Sequence, residues 1–252
     1  MSWLTFSPWQ IGLSVVTPTL VAVLVCLAET RGPLAAPLQK TTGIVAPYFT
    51  GIALLFALVT AQLLTEVWQK DNAARLSVQV EDDTIRGLMH LARVHGLEAR
   101  LVPPIKAYIA AASQENPFSR VGSKPRDATD RAYEALLGAL VAAPGLTDPA
   151  RSVLLATGTE LRRARDRRLY LADEQTAPIK WASVLVLGAL TQISILLVHI
   201  GHRRALRVSV GFFTVAFSFC LVLIAVFDAP FEVALAHEPA DTLNATLKTL
   251  PP

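Results

Sequence analysis

Residues 44–64 read IVAPYFTGIALLFALVTAQLL and contain no Asp, Glu, Lys or Arg. Residues 11–28, 181–200 and 208–227 share this property. Each stretch is close to the ~20 residues that a helix rising ~1.5 Å per residue needs to cross hydrocarbon. A buried helix of a soluble protein would carry a polar stripe, whereas these stretches have only scattered polar residues. The sequence therefore predicts four membrane-spanning helices, arranged as two pairs.

The composition agrees with a membrane protein. The 252 residues are 52% hydrophobic and only 17% charged, with a mean hydropathy of +0.44. Both cysteines, Cys26 and Cys220, fall inside predicted spans, so no extracellular disulfide framework is expected. Residues 1–10 hold no Lys or Arg, which favours a retained first helix over a cleaved signal peptide. Pro18 then lies inside that helix and must be accommodated by its neighbours.

The spans divide the chain into four parts. Residues 1–66 form a first transmembrane hairpin, 67–180 a helical soluble domain, 181–227 a second hairpin and 228–252 a C-terminal tail. The predicted fold class is all-α: a four-span transmembrane helical bundle with a helical soluble domain inserted between spans 2 and 3. No strand-like alternation competes with this interpretation.

Two details of the soluble domain can be predicted from helix signals. Nothing ends the second span before about Arg86, so its helix is expected to run well beyond the bilayer, with Gly87 as a plausible break. Pro103 and Pro104 are expected to interrupt the helical pattern, with Pro104 in the first turn of the next helix.

Charge in the short loops predicts an orientation. Arg203, Arg204 and Arg207 lie in and just after the loop between the last two spans, and Arg31 and Lys40 lie in the first loop. The positive-inside rule places both loops in the cytoplasm. Both tails and the 67–180 domain would then lie outside it.

Catalytic signals are absent from the sequence. His90 and His95 are five residues apart, which puts them on different faces of a helix, and no carboxylate or cysteine joins them at metal-ligand spacing. No nucleophile elbow or phosphate-binding glycine loop is present. The sequence therefore predicts a protein that is not an enzyme and has no metal, cofactor or nucleic-acid partner. The run Glu81-Asp82-Asp83 is interpreted as a solvated helix face, with cation attraction as the alternative.

Small residues recur every fourth position along the second span, at Ala53, Ala57, Ala61 and Thr65. Such spacing permits close helix packing in lipid, and the same face could instead line a pathway. A second pattern is a group of arginines just ahead of the third span, which could attract anions or lipid head groups or could form a solvated helix face. Its members are Arg162, Arg163, Arg165, Arg167 and Arg168.

Two short motifs carry a family resemblance. Glu66-Val67-Trp68-Gln69-Lys70-Asp71-Asn72-Ala73 follows the second span, and Phe227-Asp228-Ala229-Pro230-Phe231 follows the fourth. With the order of spans and helical domain, this pattern resembles the bestrophin-like family of bacterial membrane proteins over nearly the whole chain. The membrane-boundary candidates that the motifs supply are Glu66, Trp68, Asp228, Pro230 and Phe231.

The resemblance implies an oligomeric channel in the bacterial inner membrane. Bestrophins are pentameric, four-span, anion-selective channels whose second helix lines a hydrophobic neck. By analogy, the lining residues would be Thr50, Ala53, Ala57, Ala61 and Thr65. The partners would be the bilayer, inorganic ions and further copies of the chain. Bestrophins keep their large domain in the cytosol, opposite to the orientation that loop charge predicts.

A second hypothesis stays open. The protein would be a non-conducting membrane sensor or scaffold whose helical domain binds a protein or an envelope component.

Overall fold

The computed structural model describes residues 8–30, 46–115, 124–174, 176–228, 230–231, 235 and 237–249. These residues form helices and the turns between them, with no strand among them, which confirms the all-α fold class. The helices are α1 (Pro8–Thr30), α2 (Ala46–Val94), α3 (Glu98–Gln114), α4 (Lys124–Val141), α5 (Asp148–Asp173), α6 (Pro178–Val198), α7 (Arg203–Asp228) and α8 (Glu238–Thr249).

Three stretches of the described chain are long and apolar enough to cross a membrane. They are Phe49–Val94, Asp148–Val198, which contains α6, and Arg203–Asp228. Within α1, Ser14–Ala28 is a shorter apolar helix. The first loop, with Arg31 and Lys40, and the first two residues of the second predicted span lie outside the described residues.

Helix α2 is continuous over 49 residues, or about 74 Å at 1.5 Å per residue. The predicted extension of the second span is present, and the plausible break at Gly87 is not. Ile85 and Leu88, which flank Gly87, are both fully buried, so tertiary packing outweighs the cost of about 1 kcal/mol for a helical glycine. The helix ends at Val94, two residues before Gly96, which has a φ of 67°.

The end of α2 is a Schellman motif. The N–H of Leu97 donates to the Ala92 carbonyl at 2.7 Å, and the N–H of Gly96 donates to the Arg93 carbonyl at 3.1 Å. Because Gly96 has a positive φ, the chain reverses there and α3 begins at Glu98.

The predicted break at Pro103-Pro104 is wrong. Helix α3 contains both prolines in its interior, although each removes one backbone hydrogen-bond donor. Leu101, Ile105 and Tyr108 on the same helix are fully buried in the core, and this packing holds α3 together across the two prolines.

The chain divides into two compact units. The first comprises Met1–Gln69 and Gln175–Ala229, and the second comprises Lys70–Glu174 and Pro230–Pro252. Helix α2 contributes residues to both. The predicted 228–252 tail contains α8, which packs against α3 in the second unit and places Leu243 in its core.

The first unit has an apolar core with one close helix contact. Leu63 and Val67 of α2 pack with Val184 of α6 and with Phe217 of α7. Gly188 on α6 lies against the ring of Phe217, so an added Cβ would overlap three ring carbons. The absence of a side chain at Gly188 lets α6 and α7 approach each other around this ring.

A polar bridge joins three helices of the same unit. The fully buried Gln192 on α6 donates through Nε2 to the Pro18 carbonyl of α1 at 3.2 Å and to the Thr214 hydroxyl of α7 at 2.9 Å. Bonds between membrane helices are worth roughly 0.6 kcal/mol each on average. Gln192 therefore fixes α1 beside α6 and α7 at the level of its proline.

The second unit contains a buried ion network centred on Arg168. This fully buried guanidinium donates through Nε to Glu81 Oε2 at 2.7 Å and through Nη2 to Glu115 Oε2 at 3.1 Å. Arg165 binds Glu115 in a bidentate arrangement, through Nε to Oε2 at 3.0 Å and through Nη2 to Oε1 at 2.6 Å. Its Nη1 donates to Asp130 Oδ1 at 2.6 Å. The Tyr108 hydroxyl donates to Glu81 at 2.8 Å.

Burial and charge shift the pKa values in this network. Burial on its own lowers the pKa of Arg168, but the carboxylates of Glu81 and Glu115 raise it above its ordinary value. Burial and the negative charge of Glu81 raise the pKa of Tyr108 well above its usual range. The network therefore joins α2, α3, α4 and α5 as a charged arginine–glutamate cluster with a protonated tyrosine.

The prediction of a solvated face for Glu81-Asp82-Asp83 is wrong for its first two residues. Glu81 is bound to Arg168, and the buried Asp82 accepts hydrogen bonds from Arg86 at 2.8 Å and from Thr246. Only Asp83 is exposed. The physical reason is that Glu81 lies on the same helix face as Val78 and Ile85, which form part of the buried surface of α2.

We expect Gly188→Ala to destabilise the first unit. The new methyl group must displace the Phe217 ring, and overpacking of this kind costs about 1–3 kcal/mol. Thermal unfolding of the purified full-length protein in detergent should show a lower Tm. The matched control is Gly211→Ala on α7, where nothing lies within 4 Å of the added Cβ and where the higher helix propensity of alanine should leave Tm unchanged or raise it. A Tm equal to that of the wild type for Gly188→Ala would contradict this packing.

Arg168→Gln should strongly destabilise the second unit. The substitution leaves Glu81 and Glu115 buried with less positive charge, and breaking a buried ion pair costs about 3–5 kcal/mol. At this chain length the Tm should fall by roughly 10 °C. Arg167→Gln, at the exposed neighbouring position, should stay within about 0.5 kcal/mol of the wild type. Equal stabilities for the two variants would show that the buried network does not stabilise the unit.

Candidate functional site

Helix α2 buries one face in the first unit and leaves the other uncovered. Phe56, Thr60, Leu63 and Val67 lie on the packed side. The predicted lining residues lie mainly on the uncovered side: Thr50, Ala57, Ala61 and Thr65 are exposed, and Ala53 is half-buried. The structure therefore places these residues along one side of a single helix.

The uncovered face is apolar and has few polar atoms. Leu54, Leu55 and Leu58 beside the small residues are 68%, 54% and 64% exposed. The Thr65 hydroxyl donates to the Ala61 carbonyl at 2.9 Å, so its proton is not available to a ligand. Such a surface suits packing against another helix or against lipid, or the lining of a narrow hydrophobic passage.

Asp228 is the last residue of α7 and lies beside the start of α6. It is 6% exposed at the end of α7 and accepts hydrogen bonds through Oδ1 from the Thr176 backbone N–H at 3.1 Å and the Thr176 hydroxyl at 2.5 Å. Trp181 Nε1 donates to Asp228 Oδ2 at 3.4 Å. The carboxylate lies beside the first turn of α6, where negative charge is favourable. Asp228 thereby fixes the end of α7 to the start of α6.

Glu66 and Trp68 lie near this junction within the same unit. Glu66 forms an ion pair with Lys180 of α6, and the half-exposed Trp68 contacts Phe227 edge to face, with ring centroids 6.3 Å apart. An exposed ion pair contributes at most about 1 kcal/mol, so these contacts orient the helix ends more than they stabilise them. Thr176 and Lys180 were not singled out in the sequence, although their place just before and within the first turn of an apolar helix was a usable signal.

The remaining boundary candidates belong to the second unit. Pro230 is buried, and Phe231 is 2% exposed and packs with Val78, Leu171 and Leu235. Their role in the structure is apolar packing.

The five arginines ahead of α6 do not form one surface. Arg165 and Arg168 belong to the buried ion network, where carboxylates satisfy their charge. Arg162 lies over the Tyr133 ring and Arg163 pairs with Glu160 at 3.4 Å, while Arg167 is exposed. The predicted solvated face is thus wrong for Arg165 and Arg168. Anion or lipid attraction stays a prediction for Arg162, Arg163 and Arg167.

No group of three or more metal-ligating side chains occurs within the part of the chain that the structure describes.

The comparisons with known proteins agree on one fold. A bacterial bestrophin homologue from Klebsiella pneumoniae with a single substitution is similar over 95% of this chain and 99% of its own, with 12% sequence identity and a TM-score of 0.71. A second crystal structure of that homologue gives 13% identity, coverage of 96% and 99%, and a TM-score of 0.67. A crystal structure of a membrane protein with a single substitution gives 12% sequence identity, coverage of 96% of this chain and 98% of its own, and a TM-score of 0.71.

At such low identity these structures establish a shared fold and nothing further. No curated protein is significantly similar in sequence. The family model of the bestrophin-like domain matches residues 16–239, which include the described parts of α2 to α7 and most of α1. The chain therefore belongs to the bestrophin-like family.

Proposed function

We propose that the protein is a homo-oligomeric, anion-selective channel with four membrane spans, whose pathway is lined by the uncovered face of α2. The observation that carries the proposal is that one face of α2 is largely uncovered from Thr50 to Thr65, beside a packed face that fills the core of the first unit.

Packing within the first unit argues for a pathway between copies of the chain. Phe56, Phe213 and Phe217 are in mutual contact, with ring centroids 5.2 to 5.8 Å apart. Together with Leu63 and Val184, they occupy the space between α2, α6 and α7 with apolar side chains. Ions would therefore pass along the outer face of α2, and several copies must surround that face. The bestrophin resemblance implies five.

The fourth span in this proposal is α1. Its 23 residues extend about 35 Å at 1.5 Å per residue, which exceeds the ~30 Å of hydrocarbon. It packs against α6 and α7 through Val25 with Ile195 and Leu206, and through the Gln192 bridge.

The lining would act as a hydrophobic constriction. Ala57 and Ala61 keep the passage wide enough for an ion. Leu54 and Leu58 beside them offer no polar atoms that could bind an ion and slow its passage. Selectivity for anions rests on the family resemblance. The location of the second unit outside the cytoplasm stays a prediction from the charge of the loops.

The scaffold hypothesis keeps one supporting observation. The second unit exposes the large apolar side chains Leu76, Val94, Val153 and Tyr170. A partner-binding experiment should use the full chain, because α8 belongs to this unit and a fragment of residues 76–175 would lack it.

Flux through proteoliposomes tests the proposal. Wild-type protein should release chloride faster than potassium, and empty liposomes should release neither. Ala57→Phe should reduce chloride flux at least tenfold because the ring occupies the passage, and Tm should be unchanged because Ala57 is exposed.

Ala216→Phe is the matched control, since it makes the same change at an exposed alanine of α7, which the proposal places outside the pathway. This variant should conduct like the wild type. Equal chloride flux through the wild type, Ala57→Phe and Ala216→Phe would show that α2 does not line the pathway. An absence of flux from folded, inserted wild-type protein would favour the scaffold hypothesis.

A further inference from the structure

Helix α7 begins with a cluster of three arginines. Arg203, Arg204 and Arg207 are exposed in the first turns of α7. None of the three forms an ion pair or a side-chain hydrogen bond with the described residues. The sequence from Pro178 to Phe227 contains no Asp or Glu, so α6 supplies no carboxylate to neutralise them, and neither does α7 before its last residue.

Arginines of the second unit differ from this cluster in having carboxylate partners. Most of them bind a carboxylate within 4 Å. Those with such a partner are Arg75, Arg86, Arg93, Arg126, Arg162, Arg163, Arg165 and Arg168. Among the described residues, the cluster on α7 therefore keeps three neighbouring positive charges available to an external anion.

Helix α7 continues from this cluster with an exposed apolar ridge. Val208, Phe212, Val215 and Phe219 follow Arg204 at helical spacing and are 58%, 76%, 71% and 62% exposed. From Val208 to Phe219 the ridge rises about 17 Å at 1.5 Å per residue. One leaflet is about half of the ~30 Å hydrocarbon thickness, so the ridge matches the length of one acyl chain.

We propose that Arg203, Arg204, Arg207 and the ridge form a binding site for an anionic phospholipid. The guanidinium groups would hydrogen-bond the phosphate, for which their planar, bidentate geometry is suited, while one acyl chain lies along Val208 to Phe219. A zwitterionic lipid brings its own cation to the cluster and binds less tightly. The site requires α7 to lie in a membrane but does not require a conducting pathway.

A second copy of the chain fits this surface less well. Among the side chains described in the first unit, the carboxylates are Glu66, which pairs with Lys180, and Asp228, which is buried. Neither is available to neutralise three arginines of a neighbour. The charge of the cluster therefore favours lipid as the occupant.

Photolabelling in vesicles tests the site. Full-length protein is placed in vesicles of phosphatidylcholine that contain phosphatidylglycerol with a diazirine in its acyl chain, and the adducts are mapped by peptide mass. A parallel sample carries the diazirine on phosphatidylcholine. The expected result is preferential labelling of residues 208–219 by phosphatidylglycerol. Arg204→Gln should lower this preference about fivefold, since each basic residue near an anionic surface contributes about that factor.

The triple variant Arg203→Gln/Arg204→Gln/Arg207→Gln should abolish the preference. The matched control is Arg162→Gln/Arg163→Gln/Arg167→Gln, which removes the same charge from exposed positions of α5 and should leave the preference intact. Glycerophosphoglycerol, which lacks acyl chains, should compete poorly. Full displacement by it would show that the ridge takes no part and would overturn the site as proposed. Equal labelling by the two lipids, an unaltered preference in the triple variant, or cross-links between two copies at the ridge would overturn it as well.

Discussion

The unbroken course of α2 is the constraint on which both units depend. A helix of 49 residues has one face to bury, and that face must match two different surroundings. In the first unit it meets aromatic and aliphatic side chains such as Phe217 and Leu221. In the second it meets the buried guanidinium of Arg168. A break at Gly87 would divide the core that Ile85 and Leu88 enter together, which explains why packing maintains the helix there.

The two units use different chemistry to hold this helix. In hydrocarbon, burial of apolar surface gives little driving force between helices, so close contact at Gly188 and the Gln192 bridge carry the specificity of the first unit. In water, apolar burial drives association. The second unit can include a charged cluster because its carboxylates, Glu81, Glu115 and Asp130, each have an arginine partner. With one face fixed in this way, the opposite face of α2 remains available for an ion pathway.

The sequence predicted the helical class and the apolar stretches because both depend on composition and on local periodicity. It misassigned Glu81, Arg165 and Arg168 because a charged residue in an amphipathic helix is by default solvated, and only the tertiary structure supplies its partner. A usable signal existed: Glu81 shares a face with Val78 and Ile85, and Arg165 and Arg168 share one with Leu161 and Ala172. The prolines of α3 were misjudged for a related reason, since buried neighbours compensate for the lost backbone bonds. The residues proposed to line the pathway were identified by spacing and resemblance, and their exposure on one side of α2 could not be derived from either.

The accessibility of single cysteines to a charged reagent shows whether ions pass along the uncovered face of α2. In a background with Cys26→Ala and Cys220→Ala, Ala57→Cys protein in conducting proteoliposomes would be treated with an impermeant, negatively charged thiol reagent. If ions pass along this face, Ala57→Cys reacts and chloride flux falls, while Ala216→Cys on α7 remains unmodified. Reaction at Ala216→Cys with no reaction at Ala57→Cys would show that the pathway does not follow this face of α2.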